Sequence, residues 1–277
     1  KEEIVPSNVE KLTYLLAPMI SFVPALLTFA VVPFGKDNNF FGRDVALVLS
    51  DLNVGVLFVF AVTSLGIYGI VLAGWSSGSK YSMMGAVRSS AQMISYEVGY
   101  GLSIIGVIII ANTLSLSELV TIQTGPLWGT FSFLPNWFIF SQPLGFLIFL
   151  TCSIAETNRA PFDMPEAESE LVAGYHTEYS SMKFSMFFIA EYANMIAVSA
   201  VGTTLFLGGW DGPFLDSLPM LSVVYFVIKV FLFMFFYIWL RATFPRFRYD
   251  QLMAFGWKVL FPLALLNTLI TAFVVIL

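Results

Sequence analysis

Long apolar runs alternate with short polar connections from one end of the chain to the other. Leu12 to Val32 holds 21 residues without a charge, enough at about 1.5 Å per residue to cross a hydrocarbon core of about 30 Å. Comparable, predominantly apolar runs follow, and the seven predicted spans cover 12–33, 52–75, 90–114, 137–155, 184–207, 220–240 and 255–277. The pattern predicts an all-α polytopic membrane protein, a single integral membrane domain over residues 1–277 with about seven transmembrane helices. Pro18 and Pro24 predict kinks in the first span. Gly55, Gly66, Gly69 and Gly74 in the second offer surfaces for close helix packing. There is no sequence repeat or low-complexity tract.

Composition turns this pattern into a statement about solvent. With 58% hydrophobic residues, 29 Phe and 11 Met, and a mean hydropathy of +0.83, the chain carries more apolar surface than one water-soluble core of this size can hide. One cysteine, Cys152, and one histidine, His176, supply neither the thiolates of an iron-sulfur cluster nor the ligands of a zinc site or bis-histidine haem, and no metal site is expected. Redox chemistry that the chain serves is then carried out elsewhere. A net charge of −5, with no phosphate loop or dinucleotide fingerprint, gives no support for nucleic acid or nucleotide binding. The opening KEEIVPSNVEK has neither a starting Met nor the apolar centre of a signal peptide, and reads as the interior of a longer sequence.

Charge distribution orients the spans. If seven helices alternate, Lys1, Lys11, Lys80, Arg88, Arg159, Lys183, Arg241, Arg246, Arg248 and Lys258 share one side, and only Lys36 and Arg43 fall on the other. The first side is therefore expected to be the cytoplasm or matrix. On the outer side, Ser115 and Glu118 have capping-box spacing and predict a short helix between Thr113 and Asn136. Gly208 to Pro219 reads as a turn-rich outer loop.

The connection from Glu156 to Glu178 departs most from the background. It concentrates Glu156, Asp163, Glu166, Glu168, Glu170 and Glu178 around one base, Arg159, and the sole histidine, in a chain with only 11% charged residues. Asp163, Glu166 and Glu170 fall at i, i+3 and i+7, one face of a helix if the segment is helical beyond Pro165. A solvated acidic loop is the simple alternative; the apolar flanks and two ring-constrained prolines, Pro161 and Pro165, favour a packed, shaped inner loop.

Within the spans stand Glu97, Glu191 and Lys229. A charge at mid-membrane costs about 2.5 to 3.5 kcal/mol on insertion scales, so each is expected to face protein or water and to have a partner. Glu97 is expected about two turns into the third span from the inner side, Glu191 about two turns into the fifth, and Lys229 near the middle of the sixth. A paired structural role would suffice for one such residue; three of them beside an acidic loop suggest a hydrated, ionisable path. Tyr96 reads as an interfacial aromatic rather than a catalyst.

Three runs then carry a family resemblance: GWSSGSKYSMMGAVRSSAQMISYEV (Gly74 to Val98), AETNRAPFDMPEAESELVAGYHTEYSSMKF (Ala155 to Phe184) and RATFPRFRYDQLM (Arg241 to Met253). In order and along the whole chain, they resemble the H-subunit family of bacterial NADH:quinone oxidoreductase, respiratory complex I, whose mitochondrial counterpart is subunit one. The family's first membrane helix and following basic inner loop are not present before Lys1. The resemblance implies a subunit at the joint of the membrane and redox arms. It would help form a quinone chamber and couple quinone reduction to proton translocation, with no catalytic residue of its own. By similarity, Glu156, Arg159, Asp163, Glu166, Glu168, Glu170 and Glu178 line or support the chamber and its inner loop, and Glu97 and Glu191, with Lys229, belong to the proton path. The implied substrate is quinone; NADH, FMN and the iron-sulfur clusters belong to partner subunits, which comprise the soluble quinone module and small membrane-arm subunits. The implied location is the bacterial, or mitochondrial, inner membrane. An anchor subunit of a related membrane-bound hydrogenase, or an ion transporter, would share the architecture. A transporter should show inverted repeats, and none is found by inspection.

Overall fold

A computed structural model describes residues 4–36, 38–40, 43–127, 131–159, 161–163, 173–212 and 220–277. The helices are α1 (Lys11–Thr28), α2 (Gly55–Ser76), α3 (Lys80–Ala111), α4 (Leu116–Gln123), α5 (Phe138–Ser141), α6 (Pro143–Glu156), α7 (Ser181–Phe206), α8 (Leu221–Thr243), α9 (Tyr249–Phe255) and α10 (Phe261–Ile276). A 3-10 turn covers Gly174–His176, and a π-helical turn, Gly256–Leu260, joins α9 to α10 into one rod of 28 residues. Two small antiparallel hairpins, β1 (Asn38–Phe40) with β2 (Arg43–Val45) and β3 (Pro126–Leu127) with β4 (Phe131–Pro135), decorate connections at the outer end. The fold is that of an all-α polytopic membrane protein.

Among the described residues, six helices are long and apolar enough to cross a bilayer: α1, α2, α3, α7, α8 and the α9–α10 rod. The predicted span 137–155 takes a different form. Gln142 leaves the helical region (φ −130°, ψ 56°) and Pro143, lacking an N–H, restarts the helix, so α5 and α6 stand as two pieces and α6 has only 14 residues. The third predicted span also shifts. Its helix begins at Lys80, not residue 90, because the polar but helix-compatible run from Lys80 to Ser89 continues the same rod below the apolar window. Glu97 therefore lies near the middle of a 32-residue helix, deeper than two turns from its inner end. The first helix is unbroken through Pro18 and Pro24.

Helix α3 is the hub, packing against α2, α6, α10 and the 3-10 turn, while α1 packs against α2 and α7, and α7 against α8. Two of the second-span glycines make these approaches possible. A Cβ on Gly69 would run into Ser21 and Ala17 of α1, and one on Gly74 into Ala86 of α3, whereas Gly66 faces open space. A buried amide relay ties the break between α5 and α6 to α10: Asn267 Nδ2 donates to Gln142 Oε1 (2.9 Å) and Gln142 Nε2 donates to Thr271 Oγ1 (2.8 Å).

Hydrogen bonds between connections show that the helix ends alternate as predicted. At one end Glu10 N donates to Ser76 O, Tyr14 Oη to Glu178 O and Phe247 N to Pro161 O. At the other, Ser50 N donates to Ala30 O, Val56 N to Leu114 O and Gln123 Nε2 to Thr204 O. The expected capping box is half formed. Ser115 Oγ accepts from Glu118 N at 3.4 Å, but the Glu118 carboxylate is taken by Thr113 Oγ1 instead of reaching back to Ser115.

Candidate functional site at the inner end of the bundle

The chain leaves α6 through a left-handed residue, Asn158 (φ 51°), a conformation that Asn tolerates better than most and that closes many helices. That turn reverses the backbone and sends Arg159 toward α7. Arg159 Nε meets Glu191 Oε1 at 2.7 Å, and the guanidinium lies 4.5 Å from the ring centroid of Tyr192. Four residues later Asp163 Oδ2 meets Arg246 Nη2 at 3.1 Å, joining the inner loop to the connection after α8.

Two polar anchors hold this turn in place. Gln92 of α3 is fully buried, and its Nε2 donates to Ala155 O (2.9 Å) and Phe162 O (2.8 Å), clamping both sides of the turn. Tyr96, one helical turn on, is also buried; its hydroxyl donates to Leu252 O at 2.9 Å and its ring packs near Phe162. Tyr96 is thus not the interfacial aromatic expected, because the inner-end segments that cover it come from distant parts of the chain.

Around the turn lies a cavity of about 60 Å³, with room for several waters. Ser21 and Pro24 of α1, Thr63 of α2, Met93 of α3, Glu156, Asp163, His176 and Glu191 contribute to its wall. Glu156 is 5% exposed, and its Oε2 makes no hydrogen bond among the described residues; the same holds for Asn158 Oδ1, Arg159 Nη2 and Ser21 Oγ. Buried polar atoms of this kind normally take water as partner. Behind the cavity, Glu97 Oε1 accepts from Ser64 Oγ of α2, and the Glu97 charge acts on the Glu156 carboxyl. The arrangement is a polar seam between the inner loop and α3, built largely from titratable side chains.

The structure therefore brings Glu156, Arg159, Asp163 and Glu191 together and sets Glu97 next to them. Glu178 is half-buried and is not among the residues that line this cavity; its backbone carbonyl is the part that Tyr14 engages. Glu166, Glu168 and Glu170 lie outside the described residues, as does the face that Glu166 and Glu170 were expected to share with Asp163. Lys229 belongs to the opposite end of the bundle. Its Nζ donates to the carbonyls of Leu207 (2.6 Å), Gly209 (3.0 Å) and Asp211 (2.6 Å) and sits 4.2 Å from the Trp137 ring centroid. The outer loop that it fastens is described to Gly212; 213–219 lie outside the described residues.

Sequence reasoning passed over Ser64, Gln92, Asn158 and Tyr192. Gln92 carried a signal, since a polar amide in a membrane helix is expected to face protein; Ser64, Asn158 and Tyr192 carried none.

The whole geometry can be set beside known proteins. The family model described as NADH dehydrogenase matches residues 1–272. The H subunit of the NADH-quinone oxidoreductase of Thermomicrobium roseum is 54% identical over 279 residues, covering 99% of this chain and 79% of the relative. One of the H subunits of Geobacter metallireducens is 52% identical over 286 residues (99% and 79%), and that of Protochlamydia amoebophila is 52% identical over 273 residues (99% and 79%). A match through the cavity-lining helices, the inner loop and the outer lysine latch alike leaves one assignment: the chain belongs to the NADH dehydrogenase family, as a subunit of NADH-quinone oxidoreductase.

Proposed function

We propose that this chain forms the membrane-side wall of the quinone chamber of a proton-pumping NADH:quinone oxidoreductase and carries the first step of coupling. The observation that supports this best is the seam from Asp163 and the Arg159–Glu191 pair through Glu156 to the Ser64–Glu97 pair. Quinone reduction takes two electrons and two protons per quinone. The electrons come from redox groups of partner subunits in the soluble quinone module; this chain answers the proton demand. Glu166, Glu168 and Glu170 extend the acidic wall, by similarity. As the headgroup changes its charge and proton demand, ionisation of the inner carboxylates shifts, and Glu156 and Glu97 pass the change toward the antiporter-like subunits through mutual electrostatic coupling. The setting is an energy-conserving inner membrane.

Replacing Glu97 by Gln tests the reading, because the amide keeps shape and hydrogen bonding but cannot titrate. We expect Glu97→Gln to assemble normally, with strong loss of NADH:quinone turnover and of the proton gradient in sealed vesicles. Glu97→Asp should keep part of both, and Glu118→Gln at the outer cap should change neither. Assembly is checked through electron transfer from the soluble arm to an artificial acceptor. Full pumping by Glu97→Gln would return that residue to a packing role.

A further inference from the structure

We propose that His176 is a proton-exchanging residue of the inner cavity, acting with the carboxylates of Glu156, Asp163 and Glu191. This deepens the coupling role proposed above and rests on it.

The first support is the rigid seat of the imidazole. The 3-10 turn that carries it lies flat on α3, where a Cβ on Gly85 would come within 2.8 Å of Gly174 Cα. Ser82 Oγ of α3 donates to Tyr175 O (2.8 Å), Thr177 Oγ1 to Gly174 O (2.7 Å), Tyr179 N to His176 O (3.0 Å) and Tyr14 Oη to Glu178 O (2.8 Å). Helices α1 and α3 thus both hold the turn. The ring itself is braced edge-on by Tyr175, Phe184 and Phe188 at centroid distances of 5.0, 5.2 and 5.8 Å. These contacts fix the position of the imidazole on the cavity wall, and a fixed position is what proton transfer over hydrogen-bond distances requires.

The second support is what the ring shares the cavity with. Glu156 comes from α6, Asp163 from the loop, Glu191 with its partner Arg159 from α7 and the turn, and Tyr175 from the histidine's own segment; α1, α2 and α3 add only Ser21, Thr63 and Met93 among the polar or sulfur-bearing lining. Asp163 and Glu191 are already matched with arginines, which favours a fixed negative charge on each. An imidazole adds what these lack: a neutral form that both donates and accepts, and a cationic form reached near neutral pH. Simple aromatic packing would explain the ring contacts, since a phenyl ring could make them. It does not explain an imidazole on a cavity wall with three carboxylates.

The test uses the assembled complex in vesicles. His176→Gln and His176→Phe are expected to lower NADH:quinone turnover and to remove an inflection near neutral pH from its pH profile, with electron transfer to an artificial acceptor unchanged. In His176→Gly, added imidazole should restore turnover and pyrrole, of the same shape without the basic nitrogen, should not. Wild-type turnover and pH profile in His176→Gln and His176→Phe would overturn the proposal, as would equal rescue by pyrrole. If His176→Gly fails to assemble, the pH profiles of the other two variants decide. Normal pumping by Glu97→Gln and Glu156→Gln in the same vesicles would instead remove the coupling reading beneath it. Loss of pumping in those two beside wild-type behaviour of the His176 variants overturns the histidine assignment alone.

Discussion

At the scale of single residues, Arg159 carries the most. It is the one base in the acidic run, and only 7% of its side chain is exposed, against 18% for its partner Glu191. Removing one member of a buried pair costs about 3–5 kcal/mol, because the other charge is left unpaired in a poorly solvated place. We expect Arg159→Ala to lower both the thermal stability of the assembled complex and its quinone turnover. Arg159→Ala combined with Glu191→Gln should recover much of the stability, the two losses being non-additive for a pair in contact. Turnover should stay low, since the charges have gone. Thermal unfolding and turnover of Arg159→Ala, of Glu191→Gln and of the double variant measure this; a double variant that loses the sum of the two single losses would separate the residues. The outer end behaves differently. Asp211 is half-buried and burial raises its pKa, opposed by the Trp137 N–H and Lys229. A carboxyl with a raised folded-state pKa contributes stability below its unfolded value and loses it as pH rises through the folded one. Asp211→Asn should therefore gain in stability relative to the unchanged protein as pH rises above the ordinary carboxyl range, as read from melting temperatures across pH.

At the scale of elements, small residues and caps decide where helices meet. Gly69 admits α1 to van der Waals contact with α2, and overpacking a tight core site costs about 1–3 kcal/mol. Gly69→Ala is expected to lower assembly or melting temperature, while Gly66→Ala, with nothing within 4 Å of the added methyl, should be tolerated or mildly stabilising through helix propensity. Comparable stability of the two variants would mean that the α1–α2 approach is not tight. The same helices show what was legible. Apolar run length located every long helix, and Ser115 with Glu118 marked the start of α4. The break at Gln142 was hidden, because Pro143 can equally open a helix or interrupt one. The early start of α3 was hidden for the opposite reason: Lys80 to Ser89 is polar but helical, and an apolar window sees only the membrane part of a rod.

At the scale of the whole molecule, six described helices are long and apolar enough to cross a bilayer, the broken α5–α6 segment stands where a seventh span was expected, and the basic residues give the expected orientation. Single cysteines at Lys80 and Met220, both exposed and at opposite ends, should label from opposite faces of sealed membranes, Lys80 from the inner one. Labelling of both from one face would break the alternation. The sequence alone determined the solvent, the position of the long apolar helices and the family, because these depend on composition, run length and motif, which are local. Partnership was decided only by the tertiary structure. Arg159 could have paired with any of six acids, and the bundle gives it Glu191, 32 positions on, because a left-handed Asn158 and the Gln92 clamp aim it at α7. Lys229 reads as one of three charges in a membrane path, yet packing sets it against three carbonyls at the far end of α7. Which face of a helix turns toward which neighbour depends on the fit of all the helices at once, and no local pattern in the chain encodes it.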